Sequence, residues 1–76
     1  MNPSRAVDPF LPQLEGYEVH RVMGARAGKS YVCPDCHDAI DAGQGHVVVW
    51  PLDAVDERRH WHLHCWRLAV WRGRIA

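Results

Sequence analysis

Three cysteines and one histidine have the spacing of metal ligands in this 76-residue chain. Cys33 and Cys36 form a C-x2-C pair, and His62 and Cys65 form an H-x2-C pair 25 residues further on. A C-x2-C pair on a tight turn can place two sulfurs about 2.3 Å from one ion. Two residues three apart at the start of a helix share one face. The pattern predicts one structural Zn2+ ion held by four protein ligands, because zinc takes such a tetrahedron.

The fourth ligand has two competitors among the six histidines of the chain. His60 and His64 both lie close to His62 in sequence. If a helix begins at His62, a residue two positions before it or one after it points elsewhere. We therefore expect His62 to complete the site, with His60 or His64 as the alternatives.

The cysteine count argues against other uses of the thiols. An odd number of cysteines cannot close a complete disulfide framework, and an iron–sulfur cluster usually needs a fourth thiolate. The first 20 residues contain Asp8, Glu15 and Glu18, which a secretory signal would not. The longest apolar run, Val47 to Trp50, is far shorter than the roughly 20 residues that span a bilayer. We expect a cytoplasmic protein with no membrane contact.

The elements that must position these ligands belong to one small domain. The predictions in chain order are an irregular leader over 1–16, a β-hairpin from Tyr17–Val22 and Ser30–Val32, a zinc knuckle at 33–36, strands near 46–50 and 58–61, and a helix near 62–72. Residues 17–76 then form a single zinc-binding α+β domain. A chain of this size buries only about 60% of its unfolded surface, so a metal would supply stability that the core lacks.

A longer pattern surrounds the four ligands. It reads Cys33-x2-Cys36-x3-Ile40-x2-Gly43-x2-His46-Val47 and ends in Trp61-His62-x2-Cys65-Trp66. This pattern resembles the treble-clef zinc fingers of the poly(ADP-ribose) polymerase type and, more loosely, one half of a LIM domain. The resemblance covers residues 33 to about 70. It implies a zinc knuckle, a β-hairpin and a C-terminal helix that carries the last two ligands.

The same fingers bind damaged DNA through a basic surface, whereas Asp35, Asp38 and Asp41 stand beside the knuckle of this chain. We therefore carry over the fold and the four ligands and not the DNA activity. Nine basic and nine acidic residues also give a formal net charge of zero. That balance argues against binding nucleic acid by bulk charge and leaves room for a local basic patch.

Arginines and tryptophans are the candidates for partner contact, because both suit interface hot spots and base stacking. One candidate surface lies on the helix and contains Arg67, Trp71, Arg72 and Arg74. A second lies at the hairpin and contains Arg26 and Lys29, with Arg58 and Arg59 nearby. The alternative for Trp71 is that Phe10, Leu11 or Leu14 of the leader covers it.

Three functions fit these observations. The first is a non-catalytic zinc-binding module that docks on RNA, DNA or a ribonucleoprotein through its arginines and tryptophans. The second is a protein–protein adaptor with a structural zinc. The third is an HNH-like nuclease with His46 as general base, which we rank last because 76 residues leave little room to enclose a substrate.

Overall fold

The computed structural model describes residues 10–75, so residues 1–9 of the predicted leader lie outside the described residues. The described part contains, in chain order, β1 (Tyr17–Val22), β2 (Tyr31–Val32), β3 (Ala39–Ile40), β4 (His46–Pro51), β5 (Arg59–Trp61) and α1 (Leu63–Trp71). An antiparallel sheet has the order β1–β4–β5, and β2 and β3 form a separate two-stranded hairpin. The predicted small α+β class is confirmed.

Alternation of side chains gives the three-stranded sheet one face toward the helix. Val47 and Val49 of β4 and Val19 of β1 are buried, and Val19 lies opposite Val49 in the strand register. Successive residues of a strand point to opposite faces of a sheet. Val48 and its β5 partner His60 therefore point away from the main core.

The main core is closed by the helix and by the end of the leader. Trp66 of α1 is fully buried, and Cys65 and Ala69 on the same side of the helix are buried with it. Leu11 is buried against this cluster. The indole Nε1–H of Trp66 donates a hydrogen bond to the carbonyl oxygen of Pro12 over 2.8 Å. The described end of the leader is thus part of the core.

The predicted N-terminal hairpin between Tyr17–Val22 and Ser30–Val32 is wrong. β1 pairs along its whole length with β4, and β2 pairs with β3. Gly24 lies so close to Gly43 that a Cβ on Gly24 would stand 2.6 Å from the Gly43 carbonyl oxygen. The Gly43 N–H also donates to the carbonyl oxygen of Ala27 over 2.8 Å. These contacts turn the chain away from β1, and β4 offers six partner residues where the predicted strand Ser30–Val32 offers three.

The remaining elements lie within two residues of their predicted positions. β4 extends the predicted strand 46–50 by one residue, and β5 begins one residue later than predicted. α1 begins after His62 and is capped by Arg72, and Gly73 follows with φ of 67°. Among residues 10–75, no helix has the length and apolar character needed to cross a bilayer.

Candidate metal centre

The first two candidate ligands lie on a tight turn that joins β2 to β3. The Cys33 N–H donates to the carbonyl oxygen of Asp38 over 3.0 Å, and the His37 N–H donates to the carbonyl oxygen of Cys33 over 2.9 Å. His37 has a positive φ of 64°, a backbone region that side chains other than glycine rarely adopt. This turn holds the Cys33 and Cys36 side chains on the same side of the hairpin.

The other two candidate ligands lie where β5 passes into the helix. His62 is the residue before α1, and the Trp66 N–H donates to its carbonyl oxygen over 2.9 Å. Cys65 lies in the first helical turn, three residues on, and therefore shares the face of His62. This ligand pair therefore spans the junction between strand β5 and helix α1.

The four ligand atoms meet in one place. The Sγ atoms of Cys33, Cys36 and Cys65 and a ring nitrogen of His62 all lie within 4.8 Å of one another. Nδ1 of His62 is 3.3 Å from Sγ of Cys36 and 3.9 Å from Sγ of Cys65. Ligand atoms of a tetrahedral zinc site are separated by roughly 3.5–3.8 Å when the bonds are about 2.0–2.3 Å long. The four residues are therefore positioned to bind one metal ion.

The second ring nitrogen of His62 has its own partner. Its Nε2–H donates to the carbonyl oxygen of Ala39 in β3 over 3.1 Å. A histidine that binds a metal ordinarily donates its other N–H to a carbonyl or carboxylate, which fixes the tautomer and the ring orientation. The lone pair of Nδ1 is then directed toward the sulfurs. Neither His60 nor His64 belongs to this group of four.

The pKa values of Cys33 and Cys65 are shifted in opposite directions. Burial raises the pKa of Cys33, but hydrogen bonds from the backbone of Cys36, His62 and Asp35 outweigh it and lower that pKa to about 7. Burial, together with the adjacent Cys36 and Cys33 sulfurs, raises the pKa of Cys65 to about 12. A divalent cation among the sulfurs would remove the mutual repulsion of the thiolates.

The candidate centre has a buried side and an exposed side. Cys33 and Ile40 are fully buried and Cys65 is nearly so, and Trp61 packs against this cluster. Cys36 is exposed and His62 half-buried. Apolar packing therefore protects one side of the site, and the other side faces solvent.

The helix surface is only partly assembled as predicted. Trp71 is 82% exposed, because Leu11 of the leader covers Trp66 instead. Among the described residues, then, the leader does not bury Trp71. The guanidinium of Arg67 lies 5.7 Å from the ring centroid of the exposed Phe10. Arg72 is also exposed.

Arg74 differs from the other predicted contact residues, because it is already engaged within the domain. Its Nη2 lies 2.9 Å from Oδ1 of Asp35 in the knuckle. The acidic knuckle and the basic end of the helix therefore meet at this ion pair. Arg74 has less charge to offer a partner than Arg67 or Arg72.

The second predicted basic set lies beside a ring cluster that sequence reasoning missed. Tyr31 stacks on His60 with ring centroids 3.5 Å apart and planes inclined by 8°. Nζ of Lys29 lies 5.6 Å from the Tyr31 centroid. Arg58 and Arg59 are exposed next to His60, and Arg26 lies in the single 3-10 turn that follows β1. The alternation of side chains in β5 could have placed His60 on the other face of the strand from Trp61. Nothing in the nearby sequence indicates that Tyr31 stacks on it.

His46 and His60 form a hydrogen-bonded pair beneath this stack. His46 is 2% exposed, and its Nδ1–H donates to the carbonyl oxygen of Gln44 over 2.9 Å. Nε2 of His46 then accepts from Nδ1 of His60 over 2.7 Å. Burial, together with electrostatic interactions with His46, Arg58 and Lys29, lowers the pKa of His60 to about 4. His60 is therefore neutral near pH 7.

The fold and the site define a small α+β domain with a candidate metal centre of three cysteines and one histidine. The chain belongs to the Rv1322 family, whose sequence model matches residues 12–67, a range that includes all four candidate ligands. No match to a poly(ADP-ribose) polymerase-type or LIM finger accompanies it.

Two relatives show the same kinship. The protein Rv1322 of Mycobacterium tuberculosis and the protein Mb1356 of Mycobacterium bovis, both described as uncharacterized, are each 50% identical to this chain over 66 residues. The alignments cover 82% of this chain and 67% of each relative. No solved structure matches the chain.

Proposed function

We propose that the protein binds one structural Zn2+ ion through Cys33, Cys36, His62 and Cys65. The observation that carries this proposal is the His62 ring, whose Nε2–H is held by Ala39 while Nδ1 faces the sulfurs. Thiolates and imidazole are the ligands that zinc prefers. Four protein ligands leave no open position for water or substrate, so the role of the ion is structural.

The ion would join the short hairpin of β2 and β3 to the junction of β5 and α1. β2 and β3 pair over only two residues each, and a short two-stranded hairpin is at best marginally stable in water. Structural zinc contributes about 10–16 kcal/mol of binding free energy in comparable peptides, and this energy couples directly to folding. The order of knuckle, β-hairpin and helix, with His62 directly before the helix and Cys65 in its first turn, supports a treble-clef-like arrangement.

We further infer that this zinc-stabilised module is non-catalytic and docks on a nucleic acid or a ribonucleoprotein. The support is the exposed face of α1, where a cavity of about 370 Å³ is lined by Pro12, His64, Arg67, Leu68 and Trp71. Among these lining residues, all of them described, none is acidic. A large exposed indole beside an arginine suits a base stacked next to a phosphate.

A protein–protein adaptor is the second candidate, because exposed tryptophan and arginine are also frequent in protein interfaces. Salt dependence separates the two functions. Phosphate contacts make affinity fall steeply with salt, whereas an apolar interface is much less sensitive. The nuclease is the weakest candidate, since both ring nitrogens of the buried His46 are already hydrogen-bonded.

The proposed function needs two experiments. Metal analysis of the purified protein should give one zinc per chain, and a chelator should abolish its circular-dichroism signature. A fluorescent single-stranded oligonucleotide should bind in a salt-dependent manner and bind less to Trp71→Ala. Leu52→Ala is the matched control, because Leu52 is another exposed apolar side chain, 60% accessible, in the β4–β5 connection. A protein without metal, or one that binds no oligonucleotide, would contradict the corresponding half of the proposal.

A further inference from the structure

A cleft lies between β5 and the knuckle hairpin, which consists of β2, β3 and the turn that joins them. It lies away from the exposed face of the helix. Its volume is about 300 Å³, and it is lined by Tyr31, Val32, Pro34, Arg58, Arg59 and His60. His60 pairs with Val48 and points to the sheet face opposite the main core. The cleft and the surface around Trp71 are therefore on different sides of the domain.

One wall of the cleft is a fixed pair of rings. Tyr31 and His60 stack with their centroids 3.5 Å apart, and both side chains are half-buried. The ring of His60 is held from below by His46, which is held in turn by the carbonyl oxygen of Gln44. A planar surface that is already ordered loses little conformational entropy when another planar group stacks on it.

The charge around the cleft is positive. Arg58 and Arg59 are exposed residues that line it, Arg59 by its place in β5, and Lys29 reaches over the ring of Tyr31. None of the described residues that line the cleft is acidic. Asp35, which follows Pro34, is engaged by Arg74 over 2.9 Å and does not neutralise these arginines. The cleft thus combines a flat ring surface with guanidinium groups that suit a phosphate.

We propose that this cleft binds one nucleotide of a single-stranded nucleic acid, with the base against the Tyr31–His60 stack and the phosphate at Arg58. The inference rests on the proposed nucleic-acid docking and adds a second contact site to it. A single strand fits better than a duplex, because only an unpaired base can leave its neighbours and stack on a protein ring. An acidic peptide would satisfy the arginines and leave the ring wall unused.

Fluorescence anisotropy with a labelled ten-nucleotide oligothymidylate tests this site on the full chain loaded with zinc. Arg58→Gln and Tyr31→Leu should each weaken binding, the latter by about fivefold to a hundredfold if one stacked base is lost. Tyr31→Phe keeps the ring and should bind nearly as well as the wild type. Arg21→Gln is the matched control, because it removes the same charge from an exposed position in β1 that does not line the cleft.

Zinc content and circular dichroism show whether Tyr31→Leu still folds, and Arg58→Gln tests the site without altering the apolar packing near the sulfurs. The proposal for the cleft would be overturned if Arg58→Gln bound as tightly as the wild type and Tyr31→Leu bound as tightly as Tyr31→Phe. If Trp71→Ala alone then weakened binding, the proposed function would stand without it.

A duplex of the same length and a polyglutamate peptide complete the test. Equal affinity for duplex and single strand, or for polyglutamate and oligonucleotide, would overturn base stacking at the cleft. Absence of binding to every oligonucleotide would overturn both the cleft and the docking function. Preference for the single strand, lost in Tyr31→Leu and kept in Arg21→Gln, supports the proposal.

Discussion

The imidazole of His62 bridges the helix and the knuckle hairpin through its hydrogen bond to the Ala39 carbonyl oxygen, 3.1 Å away. This bond connects residues 23 positions apart in sequence. It orients the ring without a bound ion. One ring nitrogen, Nε2, donates this hydrogen bond, and the other, Nδ1, faces the sulfurs. His62 therefore contributes to the domain both as a link between elements and as a candidate ligand.

The first prediction concerns the choice of the fourth ligand. His62→Ala should lower zinc affinity by more than the 10- to 100-fold that loss of a hydrogen bond around a metal ligand typically costs, since it removes both the ligand and its orienting bond. His64→Ala, which changes an exposed residue on the same helix, should retain one zinc per chain. Competition with a chromogenic chelator measures both affinities. Equal affinities would show that His62 is not a ligand.

The second prediction contrasts two tryptophans of α1. Trp66 is fully buried and donates to Pro12, so Trp66→Ala should lower the free energy of unfolding by about 3–5 kcal/mol or prevent folding. Trp71 is 82% exposed, so Trp71→Ala should change the free energy of unfolding by less than about 0.5 kcal/mol. Urea denaturation of the zinc-loaded protein measures both values. A Trp71→Ala variant as unstable as Trp66→Ala would contradict this description of the core.

The third prediction concerns the close approach of two glycines. A Cβ on Gly24 would lie 2.6 Å from the carbonyl oxygen of Gly43, and this oxygen belongs to the backbone. Gly24→Ala should therefore force the loop after β1 to shift and destabilise the protein by about 1–3 kcal/mol. Gly28→Ala is the control, because no heavy atom stands within 4 Å of a Cβ there. Thermal denaturation of the two variants should separate them clearly, and equal melting temperatures would contradict the observed packing.

The fourth prediction concerns pH. The pKa of His60 is lowered from 6.5 to about 4 in the folded protein, mainly by burial. Between these values the unfolded chain binds the extra proton, so stability should fall as the pH drops from about 6.5 toward 4. The slope attributable to one proton cannot exceed about 1.4 kcal/mol per pH unit.

His60→Gln isolates this effect, because the variant keeps all four candidate metal ligands. The free energy of unfolding of wild type and variant is compared at fixed excess zinc between pH 5 and 7. The wild type should lose more stability on acidification than the variant. Parallel pH profiles would contradict this prediction, because they would show that His60 takes up no more protons in the unfolded chain than in the folded one in this range.

Local spacing was sufficient to predict the candidate ligands and the helix. The C-x2-C and H-x2-C pairs depend on a turn and on one helical turn, and both structures are determined by a few consecutive residues. The burial of Cys65, Trp66 and Ala69 follows from the same helical period. These features needed no knowledge of distant partners.

The choice of strand partners could not be predicted in the same way. Tyr17–Val22 alternates in a manner that suits several partners, and the nearest later strand was the wrong one. Its actual partner, β4, follows the knuckle in the sequence. The contact between Gly24 and Gly43 that directs the chain there also joins residues far apart in sequence. The stacking of Tyr31 on His60 depends on this same long-range arrangement, which explains why it was missed.

Trp61 packs against both hydrophobic clusters, the one around Trp66 and the one around Cys33 and Ile40. Its ring meets that of Trp66 edge to face, with centroids 5.3 Å apart. The domain thus contains two packed units, one around each cluster, that share the indole of Trp61. Backbone amides of β4 should consequently be the slowest to exchange with deuterium, those of β2 and β3 should exchange much earlier, and the emission of Trp61 would report on opening of either unit.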